Sequence, residues 1–267
     1  MKGGMNMTQD ERRVYLIEYL LKEQKRIRVP GIPEASDEQR QLLRSLLNVR
    51  MPDPIADEFL AVQDAYLKER NRERGITDVK DLSPVKSDDR LYIWQGDITT
   101  LKCDAIVNAC NSQMLGCFQP MHSCIDNFIH TFAGIQLRLQ MNEIMQAQGH
   151  EEPTGHAKIT SGYNLPAKYI LHTVGPIVQG ALTKEHEALL ASCYRACLEL
   201  AAETGVESIA FCCLSTGVFM FPNQRAAEIA VETVRNWLDE TQSRMRVVFN
   251  VFKEMDLEIY DRLLNRW

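Results

Sequence analysis

From about residue 90 onward the chain alternates short apolar runs with stretches of helical spacing, and few folds accept that order. LYIW (91–94), AIV (105–107), AKIT (157–160), YILHTV (169–174), SIAFCCLS (208–215) and MRVVFNVF (245–252) read as strands. SIAFCCLS is the longest of the buried-looking ones. Between and after them, 124–148, 185–204, 223–239 and 255–267 carry apolar residues at helical intervals, as in Ile125, Ile129, Phe132, Ile135, Leu139 and Ile144. Strands interleaved with helices predict an α/β fold, a mixed, mainly parallel sheet with helices on both faces. In such sheets ligands bind beyond the carboxyl ends of strands, which selects the loops after Trp94, Val107 and Leu214.

The first 88 residues differ in texture, and the chain divides into a helical N-terminal extension, 1–88, and a second unit, 89–267. Thr8 followed by Glu11 has the form of a capping box, ahead of an apolar face on Val14, Leu16, Ile17, Leu20 and Leu21 that fades near Arg26. VPGIPEA (29–35) breaks the pattern. Ser36 with Gln39 predicts the cap of a second helix, carrying Leu42, Leu43, Leu46 and Leu47. A third, through Ile55, Phe59, Val62, Tyr66 and Leu67, ends at Gly75, a natural residue for a left-handed helix terminus.

The formal charge of -6 offers no general attraction to nucleic acid or to an anionic membrane, so neither is expected as a partner. No apolar run approaches the ~20 residues of a membrane span, and the N-terminus lacks a signal-peptide core. A cytoplasmic location is expected, with the eight cysteines reduced. Chemistry concentrates in 108–130, NACNSQMLGCFQPMHSCIDNFIH, where Cys117, His122 and Cys124 fall within eight residues and Asp126 follows. Thiolate and imidazole at this density suit tetrahedral zinc, and three protein ligands leave a fourth position open. Cys110 is the nearest further candidate but is expected to be packed. His130 continues a helix, His172 sits in a buried strand, and His150, His156 and His186 have no convergent partners in sequence. Asp97, in Gly96-Asp97-Ile98-Thr99, read alone is more readily a turn cap than a ligand contact. The small-residue turn from Ser215 exposes consecutive N–H groups suited to an anion, and read alone is also a plain strand–helix connection.

GDIT (96–99), AIVNACN (105–111), TGHAKITSGYNLPAKYILHTVGP (154–176) and LSTGVFMFP (214–222), in this order, resemble the macrodomain family over residues 90–267. Within it the chain is most similar to zinc-containing members with a helical N-terminal extension. The resemblance implies a three-layer α/β/α macrodomain fold and ADP-ribose as ligand. It also implies hydrolysis of mono-ADP-ribose from protein side chains, acidic ones foremost. Some such members accompany bacterial sirtuin-like ADP-ribosyltransferases and act on a lipoyl-carrier protein. Carried onto this sequence, Asp97 accepts from the adenine amino group with the Ile98 N–H on the ring, and Asn111 contacts the distal ribose. Ser215, Thr216, Gly217, Val218 and Phe219 wrap the diphosphate. Phe252 lies against adenine or, equally, in the core. Asn108 braces its loop, and Asp126 serves as general base, ribose contact or helix cap. The family's usual glycine run after the second asparagine is replaced here by the Cys/His segment, which puts the zinc beside the distal ribose. Two other readings fit the same residues: a non-catalytic ADP-ribose reader with structural zinc, and an O-acetyl-ADP-ribose deacetylase.

Overall fold

A computed structural model describes residues 7–24 and 31–265. Among the described residues nine strands and eight α-helices run in the order α1 (Gln9–Glu23), α2 (Ser36–Val49), α3 (Asp57–Glu73), β1 (Thr77–Asp78), β2 (Pro84–Val85), β3 (Asp88–Gln95), β4 (Leu101–Lys102), β5 (Ala105–Cys110), α4 (Ile125–Ala133), α5 (Ile135–Gln148), β6 (Ala157–Ser161), β7 (Tyr169–Val174), α6 (Lys184–Glu203), β8 (Ser208–Phe211), α7 (Asn223–Glu240), β9 (Arg246–Val251) and α8 (Glu254–Asn265). Seven strands form one sheet in the order β2-β3-β9-β8-β5-β7-β6. The five inner strands are parallel, and both edge strands, β2 and β6, run antiparallel to their neighbours. Helix α4 packs on β5, α5 on β6, α6 on β6 and β7, and α8 on β3 and β9, with α7 between α6 and α8. The mixed sheet with flanking helices and a helical N-terminal segment is the architecture the alternation implies. Residues 105–107 and 170–171 are fully buried, which accounts for their unbroken apolar character.

The three N-terminal helices pack on one another through Leu16, Ile17, Leu20, Leu43, Leu46, Phe59 and Val62, and Ile135 joins them from α5. The Thr8–Glu11 capping box is present, and Gly75 takes φ +82 after α3. Helix α2 starts differently from expectation: Ala35 occupies the cap without a side-chain bond. Gln39 instead bridges Arg13 and the Pro33 carbonyl, a tertiary use that outcompetes the local box. The predicted fading near Arg26 and the first residues of the 29–35 break lie outside the described residues, as do the last two of the expected 255–267 helix.

Two further expectations are corrected. The segment 124–148 is two helices, broken at Gly134, whose φ of +103 only glycine adopts readily. A Cβ there would lie 2.7 Å from Gln63 Nε2, so the break is also where α3 presses against the chain. SIAFCCLS is a strand only over Ser208–Phe211. Beyond Phe211 the ladder to β9 has ended. Burial of Cys212 and Leu214 keeps the sequence apolar without extended pairing.

Candidate functional site

The parallel strands end on one side of the sheet, and the loops named from the sequence gather there. After β3, Gly96 N–H donates to the Val251 carbonyl at 3.0 Å, which sets the following turn beside the end of β9. Asp97 caps the 3₁₀ turn Ile98–Thr100, its Oδ1 accepting from Thr99 N–H at 3.0 Å and Thr99 Oγ1 at 2.6 Å. Its Oδ2 pairs with Arg74, which also donates to Thr99 Oγ1 at 2.9 Å and lies 3.5 Å above the Phe132 ring. Ile98 is buried. Phe252, one residue past β9, is 76% exposed, which removes the core reading. Its carbonyl accepts from Gln95 next to the same turn.

After β8, Ser215 takes φ +62. Its carbonyl receives Phe221 N–H and that of Gly217 receives Met220 N–H, closing a turn. Among the described residues the amides of Thr216, Gly217, Val218 and Phe219 make no backbone hydrogen bond, so consecutive donors remain for an anion. Ser215 Oγ is buried and unpartnered. A Cβ on Gly175 would fall 2.1 Å from that oxygen, so glycine lets this turn approach the end of β7.

Asn111 follows β5, exposed, with Oδ1 accepting the N–H groups of Gln113 and Met114 at 3.1 Å. Further along the loop, Cys117 Sγ, a His122 ring nitrogen and Cys124 Sγ all lie within 4.8 Å of one another. Cys117 Sγ and His122 Nδ1 are 3.3 Å apart. Cys124 Sγ caps α4 by accepting Asn127 N–H. Burial, then the neighbouring Cys117, pushes the Cys124 thiol up to about 12, so a metal must displace its proton. Two soft sulfurs and an imidazole in reach of a common point suit zinc. Cys110 is buried and its Sγ points to the Thr173 carbonyl, a packed thiol as expected.

Behind the loop lies a cluster the sequence does not announce. Asp126 is 5% exposed, and burial pushes its carboxyl up to about 6. Its Oδ1 accepts from Asn108 Nδ2 at 2.8 Å, while the same amide faces His172 Nδ1 at 3.2 Å. Burial lowers His172 to about 3, so it is neutral, accepting at Nδ1 and donating from Nε2 to Thr160 Oγ1. His130 Nε2 is 3.5 Å from Asp126 Oδ1, and its ring packs so close to Gly116, φ +83, that a Cβ there would lie 2.7 Å away. His130 and His172 thus converge on Asn108 and Asp126, although their separation along the chain hides it. Asn108 braces the loop.

Three arginines tie the site to the N-terminal helices, two of them at this loop. Arg44 donates to the His122 carbonyl at 2.8 Å and to Asn127 Oδ1. Arg138 reaches the Leu115 carbonyl at 2.8 Å and three carbonyls at the end of α2, and lies over Phe118. Arg74 ties α3 to Asp97.

Residues 107–230 match the model of the Macro domain. A protein-ADP-ribose hydrolase of Treponema medium is 59% identical over 261 residues, covering 97% of this chain and all of the relative. The chain belongs to the macrodomain family. A protein-ADP-ribose hydrolase of Staphylococcus aureus (strain MRSA252) is 53% identical over 94% of this chain and 95% of its own length. The Trypanosoma brucei macrodomain solved in complex with ADP-ribose superposes with a TM-score of 0.62 at 31% identity, covering 82% of this chain and 94% of its own. In this macrodomain Arg44 and Arg138 pack the Cys/His loop against α2. Among the described residues no helix is long and apolar enough to cross a membrane.

Proposed function

We propose that this macrodomain is a hydrolase that removes mono-ADP-ribose from modified protein side chains, carboxylates foremost, with zinc held by Cys117, His122 and Cys124. The observation that carries the reading is the convergence of those three donors in the loop entered from Asn111, at the carboxyl end of β5. Near full-length identity to proteins named protein-ADP-ribose hydrolase supports the activity. ADP-ribose enters along the strand ends. Asp97 and the Ile98 amide take the adenine edge, with exposed Phe252 alongside. The amides of Ser215 to Phe219 receive the diphosphate, and Asn111 orients the distal ribose. Cys117, His122 and Cys124 would hold zinc, which would supply a Lewis-acid centre for the sugar.

In the reaction a water oxygen bonds to C1 of the distal ribose and the bond from C1 to the side-chain carboxylate oxygen breaks. The carboxylate leaves with the electron pair, and the oxocarbenium-like charge that builds on the ring is shared with the oxygens around it. Asp126, as general base, takes the proton of the water. Burial makes this carboxyl more basic than an exposed aspartate. Asn108 holds Oδ1 and leaves Oδ2 for the proton. A lipoyl-carrier protein linked to a sirtuin-like ADP-ribosyltransferase is the proposed protein substrate.

The test pairs metal content with turnover of a mono-ADP-ribosylated protein. Cys117→Ala, His122→Ala and Cys124→Ser are each expected to lose bound zinc and at least about a hundredfold in turnover, the scale of a lost electrophilic stabiliser. Binding of free ADP-ribose and the melting transition should persist. Chelation should stop wild-type turnover and zinc restore it. Full activity in all three metal-free variants would overturn the reading.

A further inference from the structure

Between α2, α3 and α4 lies an open cleft of about 350 Å³, which meets the strand-end loops only at Met121. Arg40, Arg44 and Arg70 line it, against one lining carboxylate, Asp37, in a chain whose formal charge is -6. Tyr66 and Phe132 form apolar walls, and Met121 stands at the edge. A charge balance opposite to the whole molecule, set between aromatic walls, concentrates positive potential in the cleft.

The three guanidinium groups are not equally committed. Arg44 is fixed by Asn127 and the His122 carbonyl and lies 4.2 Å above Phe128. Arg40 and Arg70 are held by carboxylates one helical turn away on their own helices. These are Asp37, 83% exposed at its side chain, and Glu73, 41% exposed. Exposed pairs of this kind contribute at most about 1 kcal/mol, so an incoming carboxylate exchanges with them at little cost. The cleft also has a fixed relation to the candidate zinc site. Met121 adjoins His122 in the chain, its N–H is held by Asn48 on α2, and Arg44 grips the His122 carbonyl.

We propose that this cleft is a docking site for an acidic segment of the ADP-ribosylated protein. Asp or Glu residues flanking the modified side chain exchange onto Arg40 and Arg70 while the linkage sits at the Cys117–His122–Cys124 loop. The inference deepens the hydrolase reading and rests on it for the position of the linkage. Met121 joins that loop to the cleft, so the cleft is the surface next to a linkage held there.

The test uses two synthetic peptides ADP-ribosylated on a central glutamate, one flanked by glutamates and one by glutamines, each fluorescently labelled. Affinity is read by anisotropy with the full chain, and turnover is followed separately. The acidic peptide should bind about five- to tenfold more tightly, the equivalent of two exchanged surface pairs, and the advantage should vanish at high ionic strength. Arg40→Gln with Arg70→Gln should abolish the preference without altering the affinity for free ADP-ribose, and Arg40→Glu with Arg70→Glu should invert it. The glutamine pair keeps the test valid if double charge reversal unfolds the helices. Equal affinity of wild type for the two peptides, or a preference that survives in the glutamine pair, would overturn the proposal. So would a parallel fall in free ADP-ribose affinity, which would make the cleft part of the nucleotide site. Failure to hydrolyse either peptide, with the preference intact, would instead refute the hydrolase reading and support the cleft as a docking site.

Discussion

Replacing Arg138 by methionine removes a buried cation that makes four hydrogen bonds while keeping most of its apolar stem. The guanidinium is buried, donating from Nε to Leu115 and from Nη1 to the carbonyls of Leu47, Asn48 and Arg50 at 3.1, 3.0 and 2.5 Å. It joins α5, the end of α2 and the Cys/His loop in one residue. Losing a buried charged partner costs about 3–5 kcal/mol when the groups left behind stay dry. Two considerations place this case at the low end. Removing the cation also removes its own desolvation, which already lowers its pKa to about 10. A void of about 10 Å³, roughly one water, adjoins Leu47, Asn48 and Arg50 and can hydrate part of the orphaned carbonyls. The expected loss is about 3 kcal/mol, a fall in melting temperature of about 6–12 °C for a chain of this size. Zinc should be released faster, because Leu115 precedes the first ligand by two residues. Urea melts under chelation measure the first effect and competition with a chromogenic chelator the second. A loss below about 1 kcal/mol with unchanged zinc release would refute this account of Arg138.

Two further outcomes follow from buried charge. Asp126→Asn should abolish turnover, yet stabilise the metal-free protein at pH 7.5 by about 2–3 kcal/mol, because burial raises the folded-state carboxyl from 3.8 to about 6. The sign follows from the raised value: wild type keeps the stabilising protonated form below about pH 4 and loses it as pH rises through 6. The gain of the variant should therefore vanish in acid, and paired urea melts across that window check it. Arg74→Met leaves Asp97 its bonds to Thr99 but removes its countercharge. Its KM should rise about three- to tenfold with kcat unchanged, since an interaction far from the reacting carbon contributes equally in ground and transition states; steady-state kinetics decide it.

What the sequence discloses and what it hides divide by range. The strands, the Thr8–Glu11 box and the stop at Gly75 rest on neighbours within a few residues and are present. Cys117, His122 and Cys124 were legible as a donor group because eight residues hold them, and the turned loop brings them together. Where a distant element intervenes, local patterns mislead. Helical spacing runs through Gly134, yet Gln63 on α3 presses on that glycine and the helix breaks. Ser36 looks like a cap, but Gln39 is drawn to Arg13, 26 residues away. The partnerships of Arg44 with His122 and of Arg138 with Leu47 span 78 and 91 residues, and a lone arginine on a helix looks like solvated surface. His130 and His172 were given no role for the same reason, and only the packing of α4 on β5 brings them to Asn108 and Asp126.

The grip of Arg138, Arg44 and Asn48 on one loop has a consequence for anyone moving parts between proteins. Transplanting 108–130 into a scaffold without the three leading helices transfers the sulfur and imidazole donors but neither Arg138, which donates to the Leu115 carbonyl, nor the Asn48 side chain that holds Met121. Such a chimera starts with an orphaned carbonyl and a slack loop. The smallest transferable cassette is therefore discontinuous: the loop, α4, α5 and the end of α2 together.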